Sequence, residues 1–252
     1  PLTDFDNWPR LVQLAWQVHD IEGKLIDVKN YILKPEGFDI PYNAAKIHGI
    51  STQRAEKEGM PLVEVLEIFM QELEKVKFVV GHNISFDNSI VGCEFLRKNM
   101  PNLLQSMPAI DTKDDATDYC QIPGGRGGKF KWPKLTELHQ KLFGEAFAEA
   151  HNASADVEAT ARCFLELLRL DVIPYSKAGM SMDQFKNFQD KNPDPFALIG
   201  LNIEPYKPIN ATDKNQETKK VKEEITEIEQ NKTLSDSTFA HLHLHSQYSV
   251  LQ

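Results

Sequence analysis

Two aspartates and a histidine carry residue types and spacings that could do hydrolytic chemistry. Asp87 closes the stretch Phe78-Val79-Val80-Gly81-His82-Asn83-Ile84-Ser85-Phe86-Asp87. Asp156 closes a second stretch, Ala150-His151-Asn152-Ala153-Ser154-Ala155-Asp156. Fixed carboxylates hold hard divalent cations, while an imidazole on a more mobile loop can take the proton of an attacking water. Five residues separate His151 from Asp156, which suits that division between a loop and a rigid frame. Each motif also has a plainer reading. Either aspartate could simply start a helix, in favourable contact with its dipole.

The elements that must position these groups can be read from periodicity. Phe78 to Val80 is a short apolar run with β-branched residues, a buried strand, and Gly81 ends it. His82 and Asn83 turn the chain into a helix beginning near Ile84, with Phe86, Ile90, Cys93 and Leu96 on one face. Ligands in open α/β sheets bind in the crevice at such strand ends. His151 falls in the loop before a helix over Ala155–Leu170, where Asn152 or Ser154 can cap and Asp156 sits in the first turn.

The remaining elements alternate around these two. Leu11 to Val18 puts Val12, Leu14, Trp16 and Val18 on one face, and Leu25 to Leu33 comes after a turn at Gly23, an antiparallel hairpin. A short helical piece over Pro41–Ile50 ends at Gly49, and Ser51 can cap the next stretch. Leu62, Val65, Leu66, Phe69, Met70, Leu73 and Val76 recur at helical spacing after Pro61. Ala109–Thr112 reads as another short strand. The loop Gly124–Gly128 lacks the lysine and hydroxyl spacing of a phosphate loop. Trp132-Pro133 opens a helix through Leu135, Leu138 and Leu142. Two strands followed by alternating helices and strands imply a mixed α/β sheet flanked by helices.

Composition bounds the class. The chain has 252 residues, 41% hydrophobic, with 28 Lys and Arg against 37 Asp and Glu. A net charge of −9 argues against a broad basic face that coats nucleic acid, though a metal-filled cleft could still grip a few nucleotides. Three separated cysteines, Cys93, Cys120 and Cys163, suit a reducing compartment and packing rather than a disulfide frame. No apolar run approaches membrane length, and the N-terminus lacks a signal pattern, so a cytoplasmic protein without a membrane partner is expected. The chain starts at Pro1 rather than Met and stops inside an ordered pattern, which reads as a fragment cut at both ends.

In order, Ile47-His48-Gly49-Ile50-Ser51, then Gly81-His82-Asn83-Ile84-Ser85-Phe86-Asp87, then Ala150-His151-Asn152-Ala153-Ser154-Ala155-Asp156, the chain resembles the DnaQ-like, DEDDh-type 3′–5′ exonucleases, which have an RNase H-like fold. The resemblance covers roughly residues 8–172, and Trp132 to Gly144 fits the family's stretch between the second and third motifs. It implies that Asp87 and Asp156 are two of four acidic ligands for Mg²⁺ or Mn²⁺ in a two-metal site, with His151 as general base. It also implies that Ile47 and His48 border the pocket for the terminal nucleotide. His82, Asn83 and Phe86 would line the strand-end groove, with Phe86 against sugar or base.

One part of the family pattern is missing. The first motif, D-x-E on the first strand, is absent. Asp4 and Asp6 have acidic spacing but precede the strand pattern. Pro1 to Pro9 therefore reads as the loop after a missing central strand, and the isolated fragment is expected to be inactive or nearly so.

The expected organisation is an exonuclease domain over residues 1–173, an irregular connector and charged linker over 174–237, and the start of a second domain over 238–252. In that last segment His243 and His245, with His241 just ahead, resemble the histidine pair opening the PHP domain of bacterial DNA polymerase III α subunits. The order implies proofreading fused to a polymerase in one chain, acting on single-stranded or frayed DNA 3′ ends. An exoribonuclease of the same superfamily and a catalytically inactive interaction module are the alternatives. Gln184-Phe185-Lys186-Asn187-Phe188 is loosely like a sliding-clamp peptide but departs from it at the aliphatic positions, and also reads as an ordinary amphipathic turn.

Overall fold

A computed structural model of the chain describes residues 2–145, 153–200, 204–206 and 241–248, the last by backbone path alone. The hairpin forms as its alternation predicts, with strand β1 over Leu11–His19 antiparallel to β2 over Leu25–Ile32. Three helices come next, α1 over Tyr42–His48, α2 over Thr52–Glu58 and α3 over Leu62–Leu73. Gly49 ends α1 at φ 73°, a left-handed turn that suits a residue without Cβ. The Ser51 side chain caps α2 by accepting from the Arg54 N–H.

Strand β3 over Phe78–Gly81 runs straight into helix α4 over Ile84–Arg97. Strand β4 over Ala109–Asp111 lies parallel to β3 and leads into two single turns, α5 over Thr112–Asp115 and α6 over Thr117–Cys120. Helix α7 over Leu135–Phe143 and the long α8 over Ala153–Arg169 complete the alternating part. Helix α9 over Met182–Lys191 and strand β5 over His241–Tyr248 come last.

The sheet order is β2-β1-β5-β3-β4, with β5 antiparallel to β1 and parallel to β3. This mixed sheet with helices on both faces is the expected RNase H-like arrangement. Leu14, Trp16, Val18 and Val79 turn to one face, where they pack with α3 and α4. Trp16 is its centre, 5.1 Å from Phe69 and 5.6 Å from Tyr31 between ring centroids. Ala15 turns to the other face and meets Ala153 and Val157 of α8. Phe78, Val80 and Ile110 join α8 on that face through Phe164, Leu167 and Leu168.

Three sequence expectations change. The predicted apolar face of α4 is rotated: Ile90 and Cys93 are buried, but Phe86 and Leu96 are only half-buried, while Asp87 and Glu94 lie inside. A buried carboxylate needs partners, and the helical pattern alone does not show them. Glu94 Oε1 accepts from the Arg10 and Arg97 side chains and from the Leu11 N–H. Arg97 extends this buried cluster to the Phe5 and Trp8 carbonyls, tying down the N-terminal arm.

The second change comes after Pro174, where an irregular connector was expected. The chain here packs on the same core through Ala178, Met180, Phe185 and Phe188, and the Ser181 side chain caps α9. Burial of Phe185 and Phe188 also overturns the clamp-peptide reading, because the two rings a partner would take are already inside. The third concerns β5. The stretch expected to open a further domain is here a strand of this sheet, seated between β1 and β3. His241, His243 and His245 stand at the register positions opposite His19, Gln17 and Ala15. The charged linker over 211–237 lies outside the described residues.

Candidate active site

The register of β5 fixes which parts of the chain share one end of the sheet. His243 pairs with Val80 of β3 and with Gln17 of β1, and two residues further on His245 pairs with Ala15. Ala15 is therefore level with the chain leaving the C-terminal end of β3. Because Ala15 packs on Ala153 and Val157, the first turn of α8 lies at that same end. So does the first turn of α4, which leaves β3 directly. The start of β1 lies there as well, and Val12 packs with Ala44 of α1 and with Ile50.

The two sequence-predicted carboxylates occupy these first turns. Asp87 in α4 is 5% exposed and shares its inward side with Ile84, Ile90 and Val91. Asp156 in α8 is 7% exposed and lies one turn from the buried Ala153 and Thr160. The helices cover opposite faces of the sheet, and each presents its buried aspartate inward at the same sheet end. His151 lies outside the described residues.

The turn into α4 is tightly built. A Cβ added to Gly81 would come 2.6 Å from Ile84 Cδ1 and 2.9 Å from its Cβ, so only glycine lets the helix start this close to the strand. Asn83 adopts the left-handed conformation at φ 73°, one that asparagine tolerates better than most residues. Asp111, at the end of β4, holds the turn: the Asn83 and Ile84 N–H groups donate to its two oxygens at 2.8 and 3.1 Å. The Lys113 N–H donates to it as well, at 3.0 Å. One carboxylate thus fixes the start of α4 and caps α5.

His82 lies on the same turn. Its Nε2–H donates to the Pro133 carbonyl at 2.9 Å, and its Nδ1 lies 3.0 Å from Thr112 Oγ1. With both ring nitrogens engaged by the fold, His82 latches the approach to α7 onto the strand ends. Asn83 Oδ1 accepts from Lys113 Nζ at 2.6 Å, and that ammonium sits 5.0 Å from the centroid of the Trp132 ring. Phe86 is half-buried at the edge of the core.

Ile47 and His48 end α1 near the start of β1. Ile47 is 58% exposed. His48 Nδ1 accepts from the Ile50 N–H at 3.2 Å, and burial lowers its pKa. That favours the neutral ring.

Sequence reading missed Asp111, Lys113 and Trp132. The signal for Asp111 was present in its place at the end of a short apolar strand, but its partners Asn83 and Ile84 are 28 and 27 residues upstream and invisible to local pattern.

The donor chemistry fits a hard cation. Two buried carboxylates in first helical turns are oxygen donors of the kind a hard divalent cation takes. Among the described residues no cluster of three or more His, Cys, Asp or Glu gathers as a metal site.

Comparison with known proteins agrees with this architecture. The family model described as exonuclease (RNase T) matches residues 13–164. A PolC-type DNA polymerase III of Streptococcus thermophilus is 30% identical over 172 residues, covering 68% of this chain and 10% of the relative. The Streptococcus pneumoniae PolC-type enzyme is 30% identical over 141 residues, covering 56% of this chain and 9% of the relative. The chain thus spans about a tenth of the length of these relatives. Among solved structures, Escherichia coli exonuclease I in complex with a dA16 oligonucleotide gives a TM-score of 0.56 at 22% identity, over 73% of this chain and 42% of that one. Exonuclease I from Methylocaldum szegediense gives 0.56 at 23% identity, over 72% and 42%. At that identity the likeness shows the fold, and the family match rests on the sequence. The chain belongs to the exonuclease family, with PolC-type DNA polymerase III among its relatives and the fold of exonuclease I.

Proposed function

We propose that this domain removes nucleoside 5′-monophosphates from DNA 3′ ends as the proofreading exonuclease of a replicative polymerase. The observation that carries the reading is the shared sheet end: two inward, buried aspartates open α4 and α8 where the segment bearing Ile47 and His48 also lies. The polymerase relatives favour DNA over RNA and a place in replication.

Asp87 and Asp156 would hold Mg²⁺ or Mn²⁺, and such an ion would supply positive charge against the attacked phosphate and the acidity a nucleophilic water needs near neutral pH. His151, five residues before Asp156, takes the proton of the attacking water. Ile47 packs on the terminal base and Phe86 on its sugar. Neutral His48 borders the same pocket without adding charge. Asp111 and His82 keep the α4 turn rigid, so that the Asp87 carboxylate is presented in one geometry. Selectivity comes from fraying, because a mismatched terminus loses less pairing when it enters as a single strand.

The test uses the full-length protein with single strands labelled at the 5′ or the 3′ end, as DNA and as RNA, with Mg²⁺ or with chelator. Metal-dependent release of labelled mononucleotide from the 3′-labelled DNA, with stepwise shortening of the 5′-labelled strand, is expected. Preference for RNA would contradict the proofreading role, and cleavage from the 5′ end would contradict the reading as a whole.

A further inference from the structure

Between α6 and α7 the chain makes a loop whose chemistry differs from the rest of the molecule. Between Asp118 and Glu137 there is no carboxylate side chain, while Arg126, Lys129, Lys131 and Lys134 all fall within that span, in a chain of net charge −9. The loop has a defined shape. Its arms pair as an antiparallel bridge between Ile122 and Lys131, where the Lys131 N–H donates to the Ile122 carbonyl at 2.7 Å. Gly125 packs so closely on the returning arm that a Cβ there would lie 2.3 Å from the Phe130 carbonyl oxygen.

Two aromatic rings stand out of this frame, Phe130 at 41% and Trp132 at 63% exposed. Arg126 and Lys129 are exposed beside them and form no ion pair among the described residues, whereas Lys131 is partly neutralised by Glu137 at 2.9 Å. With Thr117, Asp118 and the loop glycines they line a groove of about 1040 Å³, in which one carboxylate faces three cations. Its Trp132 end touches the turn into α4: Trp132 lies under the Lys113 ammonium that also binds Asn83, and the next residue, Pro133, accepts from His82.

Exposed rings alternating with unpaired cations are the usual equipment for holding a single strand, since every base has a face to stack and every linkage a phosphate to pair. We infer that this loop is a subsite for the single-stranded DNA lying 5′ of the terminal nucleotide, with Trp132 and Phe130 stacking bases and Arg126 and Lys129 pairing with phosphates. The inference rests on the exonuclease reading above for the direction of the strand. It adds a second place where the strand is held, away from the carboxylates.

The test is equilibrium binding of fluorescein-labelled dT12 and dT2 to the full-length protein by anisotropy. Chelator keeps the strands intact whichever residues cleave them. Trp132→Ala is expected to weaken dT12 binding about tenfold, as loss of one stacked base does, with little change on dT2. Trp132→Phe should restore most of the affinity, and both variants should melt with the wild-type. Arg126→Ala combined with Lys129→Ala should reduce the slope of log affinity against log salt by about 1.4, two single-strand phosphate contacts. Wild-type affinity and salt slope in these variants, with 3′ cleavage in Mg²⁺ intact, would overturn the subsite and leave the nuclease standing. Loss of dT12 binding in a protein that cleaves no 3′ end would instead retain the single-strand site and remove the nuclease reading. Binding of a polyglutamate peptide as tightly as dT12 would overturn the assignment to nucleic acid.

Discussion

Replacing Asp111 by alanine should loosen the turn that presents Asp87. Three backbone N–H groups, those of Asn83, Ile84 and Lys113, donate to this one carboxylate at 2.8–3.1 Å. Hydrogen bonds to a charged acceptor are worth roughly 1.5–3 kcal/mol each. Asp111 is half-buried, so water replaces part of each lost bond, and about 2–4 kcal/mol is expected for the three together. For a domain of this size, about 2–4 °C of Tm per kcal/mol makes the fall in Tm roughly 8 °C. Asp111→Asn keeps one acceptor oxygen and should fall between. Differential scanning fluorimetry measures the melting. Nuclease assays well below the Tm measure the coupling, because Ångström-scale misplacement of a reacting group costs on the order of 100-fold in rate. An Asp111→Ala protein that melts within about 1 °C of wild-type and cleaves at the wild-type rate would refute this account of the turn.

Three further outcomes concern buried groups. Glu94→Ala leaves Arg10 and Arg97 without their shared buried carboxylate, and chemical denaturation should show a loss of about 3–5 kcal/mol. Burial lowers the pKa of His19 and His139, and the Arg162 guanidinium adds to the effect at His139, whose Nε2 accepts from it at 3.0 Å. Their stabilisation is therefore complete above the unfolded value of about 6.5 and is lost as pH falls below it, so urea midpoints should drop as pH falls below about 6.5. His139→Gln should flatten that drop. The thiols of Cys93, Cys120 and Cys163 are pushed up in pKa chiefly by burial. Native protein should resist Ellman's reagent, and urea should release all three.

The elements were legible because their periods are clean. The alternation in Leu11 to Val18 and the helical recurrence from Leu62 to Leu73 each gave the right element in nearly the right place. Legibility failed where a contact reaches across the chain. The buried Glu94 belongs to an arm 84 residues away, and no local pattern announces it. Asp111 serves a turn on the neighbouring strand. Phe185 and Phe188 come after a proline and a run of polar residues, which hid a helix that docks on the core. The aspartates themselves were found by motif spacing, while their burial and shared sheet end needed the topology.

The most direct test of the account is the rate of mononucleotide release from 3′-labelled single-stranded DNA in Mg²⁺, compared between the wild-type full-length protein and its Asp87→Asn and Asp156→Asn variants. Each variant is expected to stay folded and to lose more than the roughly 10–100-fold that a supporting hydrogen bond around a metal is worth. Wild-type rates in either folded variant would contradict it.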